Sequence, residues 1–316
     1  MTRLAEVAAF LPEKEVPIEV VCGPGGPSEA DVRLLRRYYG LNSVRWAPEL
    51  DLAGLLVSAG ERLTTLPEKR DRIRYVIAAR TLQVVAPDPG TVLRRVLREL
   101  DLEHAQAFAL TQHACASGLL AVELAGRLLA SDGDPEALAL VLTGEKAFTT
   151  SAQFIPGTAV MGEGAAAVLV GGDAGPGDAV LSYATRTRGE FREGLTISPE
   201  QAARFGKIYT ETVAEVMQAA VDAAGISMAD VDLILPHNVN RISWVRLSRH
   251  LGYPVDRVYL DNVPVTGHCF CADAFINHCS AEAAGRLKAR DIYLMVAVGL
   301  GATFSAMVLE KADPKV

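Results

Sequence analysis

Short apolar runs of strand length alternate with amphipathic helical segments from one end of this chain to the other. Such alternation restricts the fold to a layered α/β architecture, because a strand and a helix each bury one side and must stack against another layer to do so. In the first half, QAFALTQ at 106–112 and ALALVLTG at 137–144 read as buried strands, and between them GLLAVELAGRLLAS at 118–131 places apolar residues three and four apart, a helix. AAAVLVGG at 165–172 adds a strand. In the second half, the spacing predicts a long amphipathic helix over 199–225 stopped at Gly225, a strand VDLILPH at 231–237, a helix at 240–252, a strand RVYLD at 257–261 and a helix over 272–289.

The segment from Ile292 to Leu309 carries no charged residue and is just long enough to raise the question of a membrane span. Gly299 and Gly301 interrupt it, and IYLMVAV and TFSAMVL on either side are β-branched and aromatic, so it reads as two buried strands joined by a glycine turn. Each half therefore offers strands, a buried helix and a return hairpin, which suggests an internal repeat of about 150 residues. The turn-rich stretch GGDAGPGDA at 171–179 is the expected boundary, dividing the chain into an N-terminal half, 1–172, and a C-terminal half, 173–316.

With 316 residues, 50% of them apolar and 22% charged, the chain can bury one large core or two ordinary ones, which excludes disorder and a disulfide-stapled miniprotein. A net charge of −7 argues against a general nucleic-acid binder. The odd set of cysteines at 22, 115, 269, 271 and 279 does not form a secreted disulfide framework. Glu6 and Pro12 break the stretch where a signal peptide would need continuous apolar residues, so a cytoplasmic location is expected.

Cys115, in QHACASGLL, follows a strand and directly precedes an apolar helix, where unpaired backbone N–H groups and the helix dipole favour an anionic sulfur and so a nucleophile. The alternative is a small buried hydrophobe. His237 ends a strand in PHNVNRI, at the carboxyl edge where α/β sheets gather their sites, although a single histidine there is commonly structural. His268, in VTGHCFCAD, lies five residues before Asp273, whose carboxylate could orient the imidazole. On one continuous helix that spacing separates the two by about 140°, so the pair requires His268 in a loop and Asp273 in the first helical turn. The cluster His268, Cys269, Cys271, His278 and Cys279 is a weaker candidate for a metal site, since Cys-x-Cys is tighter than a zinc knuckle and His278 and Cys279 lie on a helix; no metal and no cofactor is expected. Arg241, Arg246, Arg249, His250 and Arg257 gather on and after one helix, either as a solvated face or as a docking surface for an acidic partner or phosphates. No P-loop and no G-x-G-x-x-G after a strand is present, so nucleotide-dependent chemistry has no support.

Taken together, ACASG around Cys115, PHNVN with His237 and Asn240, MGEGAAAVLV at 161–170 and GLGATF with Gly299 and Gly301 resemble the thiolase superfamily, and within it the β-ketoacyl-acyl-carrier-protein synthase III family, over nearly the full chain. RLLRRYYGLNSVRW resembles that family's early arginine-containing segment. The resemblance implies a thiolase-like five-layered αβαβα fold of two similar halves, a homodimer, and an acyl thioester carried on Cys115. One departure stands out: where the family has a catalytic Asn after glycine, this chain has His268, with Asp273 nearby. In condensing members, the His and Asn both donate to the enolate left when a malonyl thioester loses carbon dioxide. An imidazole backed by a carboxylate is better suited to accept a proton, from the Cys115 thiol or from an attacking hydroxyl or amine. In this respect the chain resembles the family's antibiotic- and polyketide-pathway acyltransferases with a Cys-His-Asp site.

On this reading Cys115 takes an acyl group from an acyl-carrier-protein or coenzyme A thioester and yields it to a small hydroxyl, amine or thiol acceptor. His268 is the base, and Asp273 orients it. The Cys115 and Gly301 N–H groups hold the oxyanion, His237 and Asn240 place thioester or acceptor, and Arg241, Arg246 and Arg249 meet the carrier protein or coenzyme phosphates. The alternatives are a decarboxylative condensing enzyme for a starter unit, with the same nucleophile, and a non-catalytic partner subunit that keeps the fold.

Overall fold

A computed structural model describes residues 1–21, 26–83, 89–173, 175–193 and 198–313. Cys22 lies outside them. The strands of the main sheet are β1 (Thr2–Phe10), β2 (Ile73–Ala79), β3 (Gln106–Leu110), β4 (Leu138–Gly144), β5 (Ala165–Gly171), β6 (Asp178–Thr187), β7 (Leu233–Pro236), β8 (Ile292–Gly299) and β9 (Thr303–Glu310). The principal helices are α1 (Leu52–Gly60), α2 (Pro89–Glu99), α3 (Ser117–Asp132), α4 (Pro199–Ala223), α5 (Arg241–Leu251) and α6 (Asp273–Ala283).

The strands form one 9-stranded sheet in the order β7-β8-β9-β6-β1-β5-β4-β2-β3. Pairing repeats across its middle. In the N-terminal half, β1 runs antiparallel to β5, β5 antiparallel to β4, and β4 parallel to β2. In the C-terminal half, β6 runs antiparallel to β9, β9 antiparallel to β8, and β8 parallel to β7. The halves join through a short antiparallel contact of β1 with β6, Thr2↔Val180 to Leu4↔Asp178. This is the expected duplication, and the apolar segment at 292–309 is the β8–β9 hairpin.

Five layers follow from which side of each strand meets which core. Along β4, Leu140 and Leu142 face the cluster formed with α1 and α2, while Ala139 and Val141 face the cluster formed with α3 and α6. Along β8, Tyr293 and Met295 face that same α3 and α6 cluster, while Leu294 and Val296 face the one formed with α4 and α5. Strands buried on both faces read as unbroken apolar runs, as these do. The stack is thus α1/α2, N-terminal strands, α3/α6, C-terminal strands, α4/α5, the thiolase-like αβαβα arrangement.

Local chemistry sets the helix ends. Ser198 caps α4 in a reciprocal capping box with Gln201, and Pro199 takes the first turn, where no N–H is needed. Two predicted elements differ. RVYLD does not form a strand: Val255–Arg257 is a single 3-10 turn, and the segment contributes only an isolated bridge, Ile234↔Val258, at the place in the repeat that β3 holds in the first half. The helix predicted over 272–289 stops at Ala283, because Gly285 takes a left-handed φ of 65° and its N–H closes onto Glu282.

Candidate active site

The loop after β3 turns through Ala114, a non-glycine residue held at φ 47°, into a single 3-10 turn, Ala114–Ala116, that feeds α3. Cys115 sits on that turn, 4% exposed. Two close backbone approaches bring the C-terminal half to it. A side chain on Gly118 would meet the Cys271 carbonyl at 2.8 Å, and one on Gly299 would meet the His113 carbonyl at 2.0 Å.

His268 follows Gly267, and its backbone is bonded on both sides to the N-terminal half: its N–H donates to Val160 O at 2.9 Å and its carbonyl accepts from Gly162 N at 3.0 Å. Asp273 is the first residue of α6, so the loop-then-first-turn arrangement that the pair requires is the one present. His268 Nε2 lies 3.3 Å from Cys115 Sγ, and Nδ1 is hydrogen-bonded to Asp273 Oδ2. Asp273 is held in turn by the Cys269 N–H at 2.7 Å and by the Asn238 N–H. Burial works against a charged imidazole here, but the Asp273 carboxylate on one side and the Cys115 sulfur on the other outweigh it, and His268 is pushed up to about 10.

His237 closes the other side. Its ring centroid is 6.0 Å from that of His268 and 5.3 Å from that of Trp244, whose indole N–H donates to the His237 carbonyl at 3.1 Å. Tyr209, on α4, meets His237 Nε2 at 3.0 Å, and Nδ1 is buried. Burial, with the charge of His268 nearby, pushes His237 down to about 3, so it is neutral. Cys115, His237 and His268 together line a cleft whose walls are largely apolar side chains such as Ile155, Phe205 and Leu300, with the Gly299–Ala302 turn, where Gly301 has φ 85°, also lining it.

Asn240 does not reach this cleft. Its Oδ1 accepts from Ser243 N at 2.9 Å as the cap of α5, and its Nδ2 donates to Thr158 O at 3.0 Å, so its carboxamide is used in holding the helix start and is not free to position a substrate. Arg241, Arg246 and Arg249 lie exposed along α5, and none of them lines the cleft. The five residues weighed as a metal set diverge. Cys269 Sγ points to Thr266 O, Cys271 Sγ to Ala114 O, His278 to Asp178 and Cys279 Sγ to Val7 O. Among the described residues, no group of three or more His, Cys, Asp or Glu converges in a way that could hold a metal ion.

Three residues about the site were not anticipated. Thr81 Oγ1 lies 3.2 Å from Cys115 Sγ. Glu145, fully buried, accepts from the Thr81 and Leu82 N–H groups, and Tyr209 partners His237. Thr81 and Glu145 do carry a signal, since they follow the carboxyl ends of two adjacent parallel strands, β2 and β4. Tyr209 carries none, because an aromatic residue on the inner face of an amphipathic helix reads as core.

Residues 221–311 match the family model for the 3-oxoacyl-[acyl-carrier-protein (ACP)] synthase III C terminal domain. A beta-ketoacyl-[acyl-carrier-protein] synthase III 2 from Streptomyces coelicolor is 33% identical over 168 residues, 50% of this chain and 51% of the relative, so the aligned part spans about half of that protein. The beta-ketoacyl-[acyl-carrier-protein] synthase III of Rhizobium meliloti is 25% identical over 273 residues, 80% of each chain. Among solved structures, ChlB3, described as an acyltransferase, superposes with a TM-score of 0.85 at 20% identity, covering 99% of this chain and 98% of that one.

Proposed function

We propose that the chain is a member of the ketoacyl synthase III family of the thiolase superfamily, a family of condensing and acyl-transferring enzymes, and that it acts as an acyltransferase. The observation that carries this reading is the line Cys115 Sγ, His268 Nε2, His268 Nδ1, Asp273 Oδ2. A nucleophile within reach of a base, and the base oriented by a third group, is the arrangement of covalent acyl transfer.

In the first half-reaction the Cys115 sulfur attacks the carbonyl of an acyl-carrier-protein or coenzyme A thioester, its proton held on His268 Nε2. The tetrahedral oxyanion lies against the Cys115 and Gly301 N–H groups, a donor of this kind being worth about 3 kcal/mol. Collapse expels the carrier thiolate, which takes the His268 proton. Acylation removes the negative sulfur that helped to hold the imidazolium, so His268 becomes a readier base for the second half-reaction. There the acceptor hydroxyl, amine or thiol gives its proton to Nε2 and attacks the acyl carbon, and Cys115 leaves. The reacting bond arrives already activated as a thioester, so the reading requires no cofactor. A carrier-protein or coenzyme site along Arg241, Arg246 and Arg249, a homodimer, a cytoplasmic setting and a role in polyketide or antibiotic pathways belong to the same proposal.

His237 favours one second reading. A neutral imidazole lining the cleft beside His268 is the kind of group that a decarboxylative condensing enzyme would turn to an enolate oxygen. Supplying malonyl-coenzyme A and measuring carbon dioxide release, beside transfer of an acetyl group from acetyl-coenzyme A to hydroxyl and amine acceptors, separates the two. Transfer without carbon dioxide release is expected. Carbon dioxide release coupled to a new carbon–carbon bond would overturn the acyltransferase assignment.

A further inference from the structure

Cys115 Sγ has a second polar neighbour besides His268. Thr81 Oγ1 stands 3.2 Å away, and both residues are buried, Thr81 8% exposed and Cys115 4%. The hydroxyl also lies 3.6 Å from Cys271 Sγ, but Cys271 directs its own sulfur at the Ala114 carbonyl at 3.1 Å, and a donor shared between a neutral thiol and a sulfur gaining negative charge goes to the charged one. What aims the hydroxyl is Glu145. This carboxylate is wholly buried where the chain leaves β4, and its two oxygens accept from successive backbone N–H groups, Oε2 from Thr81 and Oε1 from Leu82 at 2.7 Å. A buried carboxylate bonded to two consecutive N–H groups fixes the backbone on either side of the Thr81 α-carbon, and with it the direction of the side chain. The Glu145 carboxyl also lies within reach of the Thr81 hydroxyl, so Glu145 holds that hydroxyl while the sulfur is neutral and releases it to the sulfur as negative charge builds there.

We propose that Thr81 is a further catalytic residue, a hydroxyl donor to the Cys115 sulfur whenever that sulfur is anionic, and that Glu145 is its positioning residue. The proton stays on Thr81 Oγ1 throughout, and no bond of Thr81 is made or broken. Its donation matters twice in acyl transfer: it holds the thiolate before attack on the donor, and it receives the sulfur as the leaving group when the acyl group passes to the acceptor. This rests on the reading of Cys115 as the acyl carrier, but its test does not require an acyl donor.

The test is the rate at which iodoacetamide alkylates Cys115 in the full chain at neutral pH, followed by mass spectrometry of the peptide containing Cys115, with the thiolate absorbance near 240 nm read on the same samples. Thr81→Val keeps the shape and removes the donor, and should alkylate about tenfold more slowly with a weaker thiolate band, the order expected for losing one hydrogen bond to a charged group. Thr81→Ser should come back to within about twofold of the wild type. Glu145→Gln keeps Thr81 but exchanges one acceptor for an amide, and should fall between the two. A Thr81→Val protein with wild-type circular dichroism and wild-type alkylation would overturn the proposal, as would a Thr81→Ser protein as slow as Thr81→Val. Should Thr81→Val not fold, the same comparison is made between Thr81→Ser and Thr81→Ala, with equal rates counting against the proposal. Slow alkylation of the Thr81 variants, beside a wild type that accepts no acyl group from any thioester, would sink the acyltransferase reading and leave the role of Thr81 standing.

Discussion

His268 Nε2 and Cys115 Sγ are 3.3 Å apart although 153 residues separate them in the chain. The contact exists because the loop carrying His268 is bonded through its own backbone to Val160 and Gly162 of the N-terminal half. Each half supplies one member of the pair, so the reacting centre is a product of the interface between the halves and not of either one.

The alkaline and acid limbs of stability should have different owners. His268 is pushed up to about 10 from an ordinary 6.5, so the folded chain keeps a proton that the unfolded chain releases; its contribution is complete below pH 6.5 and is lost as the pH rises toward 10. His237 has the reverse sign: pushed down from 6.5 to about 3, it costs stability as the pH falls through that window. Thermal unfolding followed across pH should show His268→Asn flattening the alkaline decline and, because the charge of His268 helps to push His237 down, also softening the acid one. An unchanged alkaline limb in that variant would contradict the charged His268.

Replacing His268 by Asn also removes the base. Transfer from a preformed acyl enzyme to a hydroxyl or amine acceptor should fall about 10²- to 10⁴-fold, the usual worth of a positioned general base. Single-turnover kinetics with the acylated protein measure this step alone. Transfer at the wild-type rate would mean that His268 is not the base.

Asp273→Asn should cost both stability and activity. Its two oxygens hold His268 Nδ1, the Cys269 N–H and the Asn238 N–H, and an amide in that place sets one N–H against another while leaving a buried imidazolium without its counter-ion. A loss of about 3–5 kcal/mol in urea unfolding is expected, as for breaking one side of a buried ion pair. A loss well below about 1 kcal/mol, in the range of an exposed pair, would show that the pair is not the buried unit described.

Gly299→Ala tests the packing beneath the nucleophile. A Cβ there would stand 2.0 Å from the His113 carbonyl oxygen, a backbone atom that cannot swing aside, so the β8–β9 turn must lift away from the Cys115 loop. Destabilisation of about 1–3 kcal/mol is expected from overpacking. The alkylation rate of Cys115 should change with it, and wild-type stability would contradict the close approach.

Most of the fold was legible because strands buried on both faces, such as β4, β5, β8 and β9, announce themselves as uninterrupted apolar runs. The strand β6 was hidden by its first residue. Asp178, beside Gly177, reads as turn chemistry, yet its backbone pairs with Leu4 and its carboxylate is buried against His278 and Tyr293, with Lys311 alongside. RVYLD failed in the opposite direction: its pattern is right for a strand, but the 3-10 turn before it and the turn at Asp261 leave it only a single bridge. At the site, Cys115, His268 and Asp273 could be read from their position relative to strands and helices. Asn240 was read as substrate-facing, although an Asn directly before a helical stretch is first of all a cap, and that is the use the structure makes of it. Thr81 and Glu145 required knowing that β2 and β4 are neighbours, which no local pattern states.

The measurement that bears most directly on this account is the mass of the intact protein after incubation with a panel of acyl-coenzyme A and acyl-carrier-protein thioesters, followed by peptide mapping. At least one donor should add its acyl mass to the peptide holding Cys115, and the added mass should be absent from Cys115→Ala and disappear when an acceptor is supplied. A wild-type protein that gains no mass from any donor, or gains it on another residue, would contradict the acyl enzyme and the mechanism built on it.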